Sequence, residues 1–200
     1  MTQGMTAARP VLAEIGTTGD GALRLARQAM LVAIGVAALT ASAKIAVPMW
    51  PVPITMGTFA VLGIGAAYGP GLGLVTILTY MALGALGADV FAGSSEVSGA
   101  AYMLGGTGGY LLGYVLATVL LGAFARAGWD RSAGRMALAM LAGNAVIYVP
   151  GLLWLGALYG WDQPILQWGL WPFLIGDAAK LALAALLFPL AWRLAARARG

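Results

Sequence analysis

The sequence predicts an all-α integral membrane protein, a bundle of six transmembrane helices with both termini on the cytoplasmic side. Three observations carry this. Hydrophobic residues fill 61% of the 200 positions and charged residues only 9%, against about 25% charged in an ordinary soluble domain. The apolar residues form stretches of membrane-crossing length, punctuated by Pro, Gly or Arg. Finally, Arg24, Arg27, Arg126, Arg131, Arg135, Arg193, Arg197 and Arg199 all fall in segments that six spans would put on one side, while the opposite loops hold no Lys or Arg. The positive-inside rule then makes both termini cytoplasmic and the protein a multi-pass component of the cytoplasmic (inner) membrane.

The organisation follows: a cytoplasmic or interfacial tail over 1–24, a six-span membrane domain over 25–192, and a basic cytoplasmic tail over 193–200. The first tail is polar, with only Val11, Leu12 and Ile15 as apolar anchors. It lacks the apolar core and cleavage site of a signal peptide, and a mobile or interfacial segment is expected. Span one covers about 25–47 and stops at Pro48, Pro51 and Pro53, which cannot continue a helix. Span two, about 54–68, reaches only about 23 Å against a core of about 30 Å. Gly69-Pro70-Gly71 turns the chain into span three, about 72–90, which ends at Asp89. A re-entrant hairpin is the alternative for these two.

Residues 91–109 are rich in Gly and Ser and include Glu96, Tyr102 and the run Gly105-Gly-Thr-Gly-Gly109. Loops of this length are often functional. The run lacks the Lys-Ser/Thr and preceding strand of a phosphate-binding loop, so it is read as a flexible gate or a close-packing element. Span four covers about 110–125. Span five, about 136–158, carries Asn144 and Tyr148 at mid-depth. Trp161, Trp168 and Trp171 form an aromatic belt before span six.

Span six, about 171–192, contains two opposite charges, Asp177 and Lys180. Residues three apart share a helix face, and intramembrane charges usually face a bundle interior or a cavity. Entering from the outside, the pair lies about 9 and 14 Å along the helix, in the outer half of the membrane. It is read as a ligand or ion site, with a structural ion pair as the alternative. Asn144 either meets a ligand or bonds to a neighbouring helix, and Thr76 and Tyr80 carry the same ambiguity. Ala29, Ala33, Ala37 and Ala41 form a ridge of small side chains. It serves either a partner helix or packing within the bundle. Lys44, one turn beyond, is expected to snorkel to the outer surface.

With no Cys and no His, the chain has no thiol nucleophile, imidazole base or usual zinc ligand set. No metal and no cofactor are expected. An intramembrane enzyme is a weak reading, because Asp177 is the only deep carboxylate. An ion- or proton-coupled carrier of a small carboxylate, working through Asp177 and Lys180, is stronger. The net charge of +4 comes from arginines flanking the spans, so the partner is the lipid bilayer and not nucleic acid.

Several stretches together resemble one family. They are Lys44-Ile-Ala-Val-Pro-Met-Trp-Pro-Val-Pro-Ile-Thr55, Thr58-Phe-Ala-Val-Leu62, Gly69-Pro70, Gly87-Ala-Asp-Val-Phe-Ala-Gly93, Gly106-Thr-Gly-Gly-Tyr110 and Gly176-Asp-Ala-Ala-Lys180. In order and spacing they resemble BioY, the biotin-specific S component of energy-coupling-factor (ECF) vitamin transporters, over about 29–192. The resemblance implies a substrate-binding membrane subunit for biotin uptake, not an enzyme, with Asp177 and Lys180 as polar ligands of biotin. It suggests that the loop around Ala92, Gly99 and Tyr102 closes over the vitamin, helped by the Pro-rich loop over 47–53. It also implies that Ala33 and Ala37 dock onto a transmembrane T component, with ATPase subunits supplying the energy. The sequence departs from the family's usual pattern at Gly57, where Gln is common, and at Gly106, where Pro is frequent.

Overall fold

A computed structural model describes residues 9–15, 21–93 and 97–197. Glu96, Arg199 and most of the N-terminal tail lie outside the described residues. The elements run α1 (Gly21–Lys44), β1 (Ala46–Val47), β2 (Ile54–Thr55), α2 (Gly57–Ala85), α3 (Gly99–Leu104), α4 (Gly108–Arg126), α5 (Ala133–Tyr159), α6 (Ile165–Gly169) and α7 (Trp171–Arg197), with short 3₁₀ turns at Leu12–Glu14 and Trp129–Arg131. Five stretches are long and apolar enough to cross a membrane: Gly21–Lys44, Gly57–Ala85, Gly108–Arg126, Ala133–Tyr159 and Ile165–Arg197.

The stretch α2 is not one straight rod. Gly69 interrupts it with φ 76° and ψ 176°, a backbone that only glycine adopts without strain, and Pro70 starts the next helical half. A Cβ built on Gly73 would lie 3.5 Å from the Cα of Gly65. Eight residues of straight helix span about 12 Å, so the two halves double back on each other. Gly122 of α4 lets this turn sit against it, since a Cβ there would fall 2.3 Å from the Pro70 nitrogen. The expected turn at 69–71 is therefore present and built by close backbone approach.

The core lies between α2, α4, α5 and α7, with Leu62, Leu121, Met136, Met140, Ile147 and Leu155 almost fully buried. Outward-facing Leu and Ile residues such as Ile175, Leu186 and Leu141 are exposed, as a lipid-facing surface requires. In α1 only Gly35, Val36, Leu39 and Ala43 are buried. Its apolar window is 11% buried, whereas the other four windows are 33–50% buried, so α1 packs at the periphery.

Three expectations change. Residues 9–15 are docked, not mobile. Val11 is fully buried against the core, Glu14 forms a two-pronged ion pair with Arg126, and the Arg9 N–H donates to the Arg126 carbonyl at 3.0 Å. Arg131 donates to the Pro10 carbonyl and Arg27 to that of Ile15. Lys44 does not simply snorkel. It pairs with Asp89 and donates to the Phe91 carbonyl at 2.9 Å. Finally, α7 continues helically to Arg197, so the basic tail over 193–200 begins inside a helix.

Candidate functional site

The local chemistry begins on α7. Its buried residues are Phe173, Asp177, Lys180, Ala184, Phe188 and Pro189, and all but Pro189 are spaced as one helical stripe facing the bundle. The two charges therefore point inward, and their side chains are only 6% and 8% exposed. The Pro-rich segment brings Thr55 to them: β1 and β2 pair antiparallel, Ala46 opposite Thr55 and Val47 opposite Ile54, before α2 starts at Gly57.

The hydrogen bonds close around the pair. Lys180 Nζ donates to the Thr55 carbonyl at 2.7 Å, to Thr58 Oγ1 at 2.9 Å and to Asp177 Oδ1 at 3.0 Å. An ammonium has three protons, so its donors are all used. Thr58 Oγ1 donates to Asp177 Oδ1 at 3.4 Å, and the Tyr148 hydroxyl donates to Asp177 Oδ2.

Beside this network is a cavity with about 660 Å³ of empty space, its open mouth included. Tyr80, Phe91, Tyr102, Tyr110, Tyr114, Tyr148 and Phe173 supply aromatic walls, Leu39, Ala43, Leu111 and Ile147 aliphatic ones, and Thr55, Thr58 and Thr107 hydroxyls. Asp177 and Lys180 do not line it. They stand behind Thr58 and Tyr148, which touch both the pair and the cavity. The arrangement suits a mainly apolar molecule that presents a few polar atoms toward Thr58 and Tyr148.

The other anticipated residues fall in different places. Ala92 and Tyr102 line the cavity and also a wider vestibule of about 1060 Å³ shared with Trp50, Pro51 and Gly106. Tyr102 stacks on Phe91 with centroids 4.9 Å apart, and Phe91 meets Tyr80 edge-on. Gly99 opens α3 with φ 67°, against the Ala85 carbonyl, and does not line the cavity. Asn144 is buried away from the cavity, and its Oδ1 has no hydrogen-bond partner among the described residues. Ala33 and Ala37 lie with Ala29 and Ala41 on an exposed face of α1. The Gly105–Gly109 run is a packing element: Trp154 Nε1 donates to the Gly105 carbonyl, and a Cβ on Gly109 would fall 2.3 Å from the Pro150 carbonyl oxygen. Gly57 borders the cavity where a Cβ would come within 3.0 Å of the Tyr114 hydroxyl. Among the described residues no group of acidic side chains could hold a metal.

Sequence reasoning missed Thr58, Tyr110, Tyr114, Tyr148 and Phe173 as site residues. One signal was available, because Tyr110 and Tyr114 are four apart and share a helix face.

The chain is similar to known proteins. The model of the BioY family matches residues 9–197. A probable biotin transporter BioY of Pyrococcus horikoshii is 40% identical over 162 residues, covering 81% of this chain and 94% of that protein. The biotin transporter BioY of Thermotoga maritima is 32% identical over 165 residues, covering 80% and 93%. Among solved structures, the S-component for biotin from an ECF-type ABC transporter superposes with a TM-score of 0.73 at 22% identity, covering 88% of this chain and 95% of that one. It shares the fold, and with relatives at this level spanning four-fifths of the sequence, the chain belongs to the BioY family.

Proposed function

We propose that this chain captures biotin in the aromatic cavity and serves as the substrate-binding subunit of an ECF-type importer. The observation that carries the reading is the junction of an apolar cavity with a buried Asp177–Lys180 pair through Thr58 and Tyr148. Biotin has an apolar sulfur ring and valeryl chain, a ureido group with two N–H donors and a carbonyl, and a carboxylate. The rings and chain fit the Tyr, Phe and Leu walls. A ureido N–H that displaces the Thr58 hydroxyl would donate to Asp177 Oδ1 while Tyr148 keeps hold of Oδ2 and so positions the carboxylate, and Lys180 would turn toward a carbonyl or carboxylate. The names of the relatives support this choice of ligand. Ala92, Tyr102 and Gly99 belong to the segment that closes the site.

The membrane arrangement is six spans, with the doubled-back halves of α2 counted separately. The Arg-rich end faces the cytoplasm and the protein sits in the inner membrane. The exposed Ala33 and Ala37 face of α1 is the docking surface for a T component, which brings the ATPase subunits. Isothermal titration of the purified protein with biotin tests the reading. Saturable binding that is weakened by a Tyr148→Phe exchange, with thiamin and riboflavin inert, is the expected result. Equal heats from all three vitamins would refute it.

A further inference from the structure

At the Arg-rich end, away from the biotin cavity, an open cleft of about 1170 Å³ lies between α1, the docked 9–15 segment and the turn that divides α2. Arg24, Arg27 and Arg126 line it together with Gln28 and Glu14. Glu14 is the single carboxylate on this wall among the described residues, and both its oxygens are held by Arg126. Among the described residues, that leaves Arg24 and Arg27 without a further carboxylate on the wall to balance them. Arg27 uses one N–H on the Ile15 carbonyl at 2.7 Å, and a guanidinium has five. Arg24, Arg27 and Gln28 stand at helical spacings of three and four, so their donors converge on one face.

We propose that this cleft binds a phosphate group, that of an anionic phospholipid in the surrounding leaflet. Guanidinium groups match phosphate oxygens in planar, paired fashion. The cleft also lies where α1 begins its apolar run. Met30 and Ile34 follow Arg27 at helical spacing and are 57% and 53% exposed. An acyl chain can therefore run along α1 from a headgroup held by the arginines, which a soluble anion would not use. Bound lipid would bridge α1, otherwise peripheral, to the 9–15 segment.

The test is native mass spectrometry of the full-length protein in detergent, mixed with phosphatidylglycerol or phosphatidylcholine of equal chain length. Wild type should retain phosphatidylglycerol at least tenfold better, and R24Q/R27Q should lose that preference. Arg24→Gln alone leaves the Arg27–Ile15 bond in place and should lower the preference in a chain of unchanged helicity. R193Q, at an exposed arginine elsewhere on the same end, should retain it. A second arm adds millimolar inorganic phosphate and follows the melting temperature. A shift that R24Q abolishes, with no preference between lipids, assigns the phosphate site to a soluble ion. A lipid preference without that shift assigns it to the headgroup. Equal retention of both lipids with no phosphate shift, or a preference that survives in folded R24Q/R27Q, overturns the proposal.

Discussion

Removing the charge on one side of the buried pair has a cost that the geometry fixes. In Asp177→Asn the Lys180 ammonium keeps two neutral acceptors, Thr55 O and Thr58 Oγ1, but loses its only counter-charge on this network. Breaking a buried pair from one side typically costs about 3–5 kcal/mol. Lys180→Met leaves the Asp177 carboxylate with only the Thr58 and Tyr148 hydroxyls and should cost a similar amount. The double variant Asp177→Asn/Lys180→Met contains no buried charge. It orphans mainly the Thr55 carbonyl, a penalty of about 1–3 kcal/mol. The double variant should therefore be more stable than either single one, a coupling that a double-mutant cycle on thermal unfolding in detergent measures directly. Biotin titration of the same folded double variant separates structure from function. Thr58 and Tyr148 would keep their places at the cavity wall but lose the charges that orient them. Affinity should fall by at least about 1.5–3 kcal/mol, the worth of one hydrogen bond to a charged group. Additive destabilisation would refute the coupled network, and unchanged biotin affinity would refute its place in the site.

Other predictions are simpler. Tyr148→Phe removes one donor to the buried Asp177 carboxylate and keeps the ring, so stability should fall by about 1.5–3 kcal/mol, read by differential scanning fluorimetry, and biotin binding should weaken with it, read by titration. Ala37→Trp adds bulk to an exposed face of α1, so it should spare melting temperature and biotin affinity while abolishing co-purification with a T component. Arg126 holds the Glu14 carboxyl below the ordinary glutamate range, its hydrogen bond outweighing burial. Because the value is lowered on folding, the stabilisation is present above the unfolded value of about 4.3 and lost as pH falls through the folded one. Hydrogen-exchange protection factors over residues 9–15, corrected for the intrinsic pH dependence of exchange, should fall in acid for that reason, and at neutral pH in Glu14→Gln.

Legibility in the sequence followed the range of the interactions. The Asp177–Lys180 pair could be read because helical spacing alone puts residues three apart on one face. The Gly69-Pro70 turn could be read because it is local chemistry. Thr58 and Tyr148 reach the pair from 119 and 29 residues away, and no pattern along the chain announces such a meeting. Lys44 looked like a snorkelling cation because Asp89, its partner, is 45 residues distant. Val11 sits in a polar tail with only Leu12 and Ile15 as further apolar anchors, too few to set up a periodicity that would mark it as core. Phe91 was hidden in a Gly/Ser-rich segment whose composition suggested mobility, whereas its ring is buried between Tyr80 and Tyr102. The resemblance to BioY identified the family, but not that the charges stand behind Thr58 and Tyr148 at the cavity wall.

The two ends of the bundle are fastened unequally. At the Arg-rich end the 9–15 segment is tied to α1 by Arg27, to α4 by Arg126 and to the 129–131 turn by Arg131, with Val11 fully buried beneath it. Lifting it breaks a bidentate ion pair and several backbone bonds at once, and exposes a valine worth about 1.5–3 kcal/mol of burial. At the other end the cavity and the vestibule share Pro53, Ala92, Tyr102 and Thr107 as their common wall. Tyr102 is half-buried, and its main aromatic contact is the stack on Phe91, worth about 0.5–1.5 kcal/mol beyond its area. Its hydroxyl-bearing edge lies beside Thr107, whose Oγ1 reaches the Tyr102 carbonyl only at 3.5 Å. Displacing that ring needs no ion pair to break. An opening past Tyr102 therefore costs less than one through the arginine-tied end.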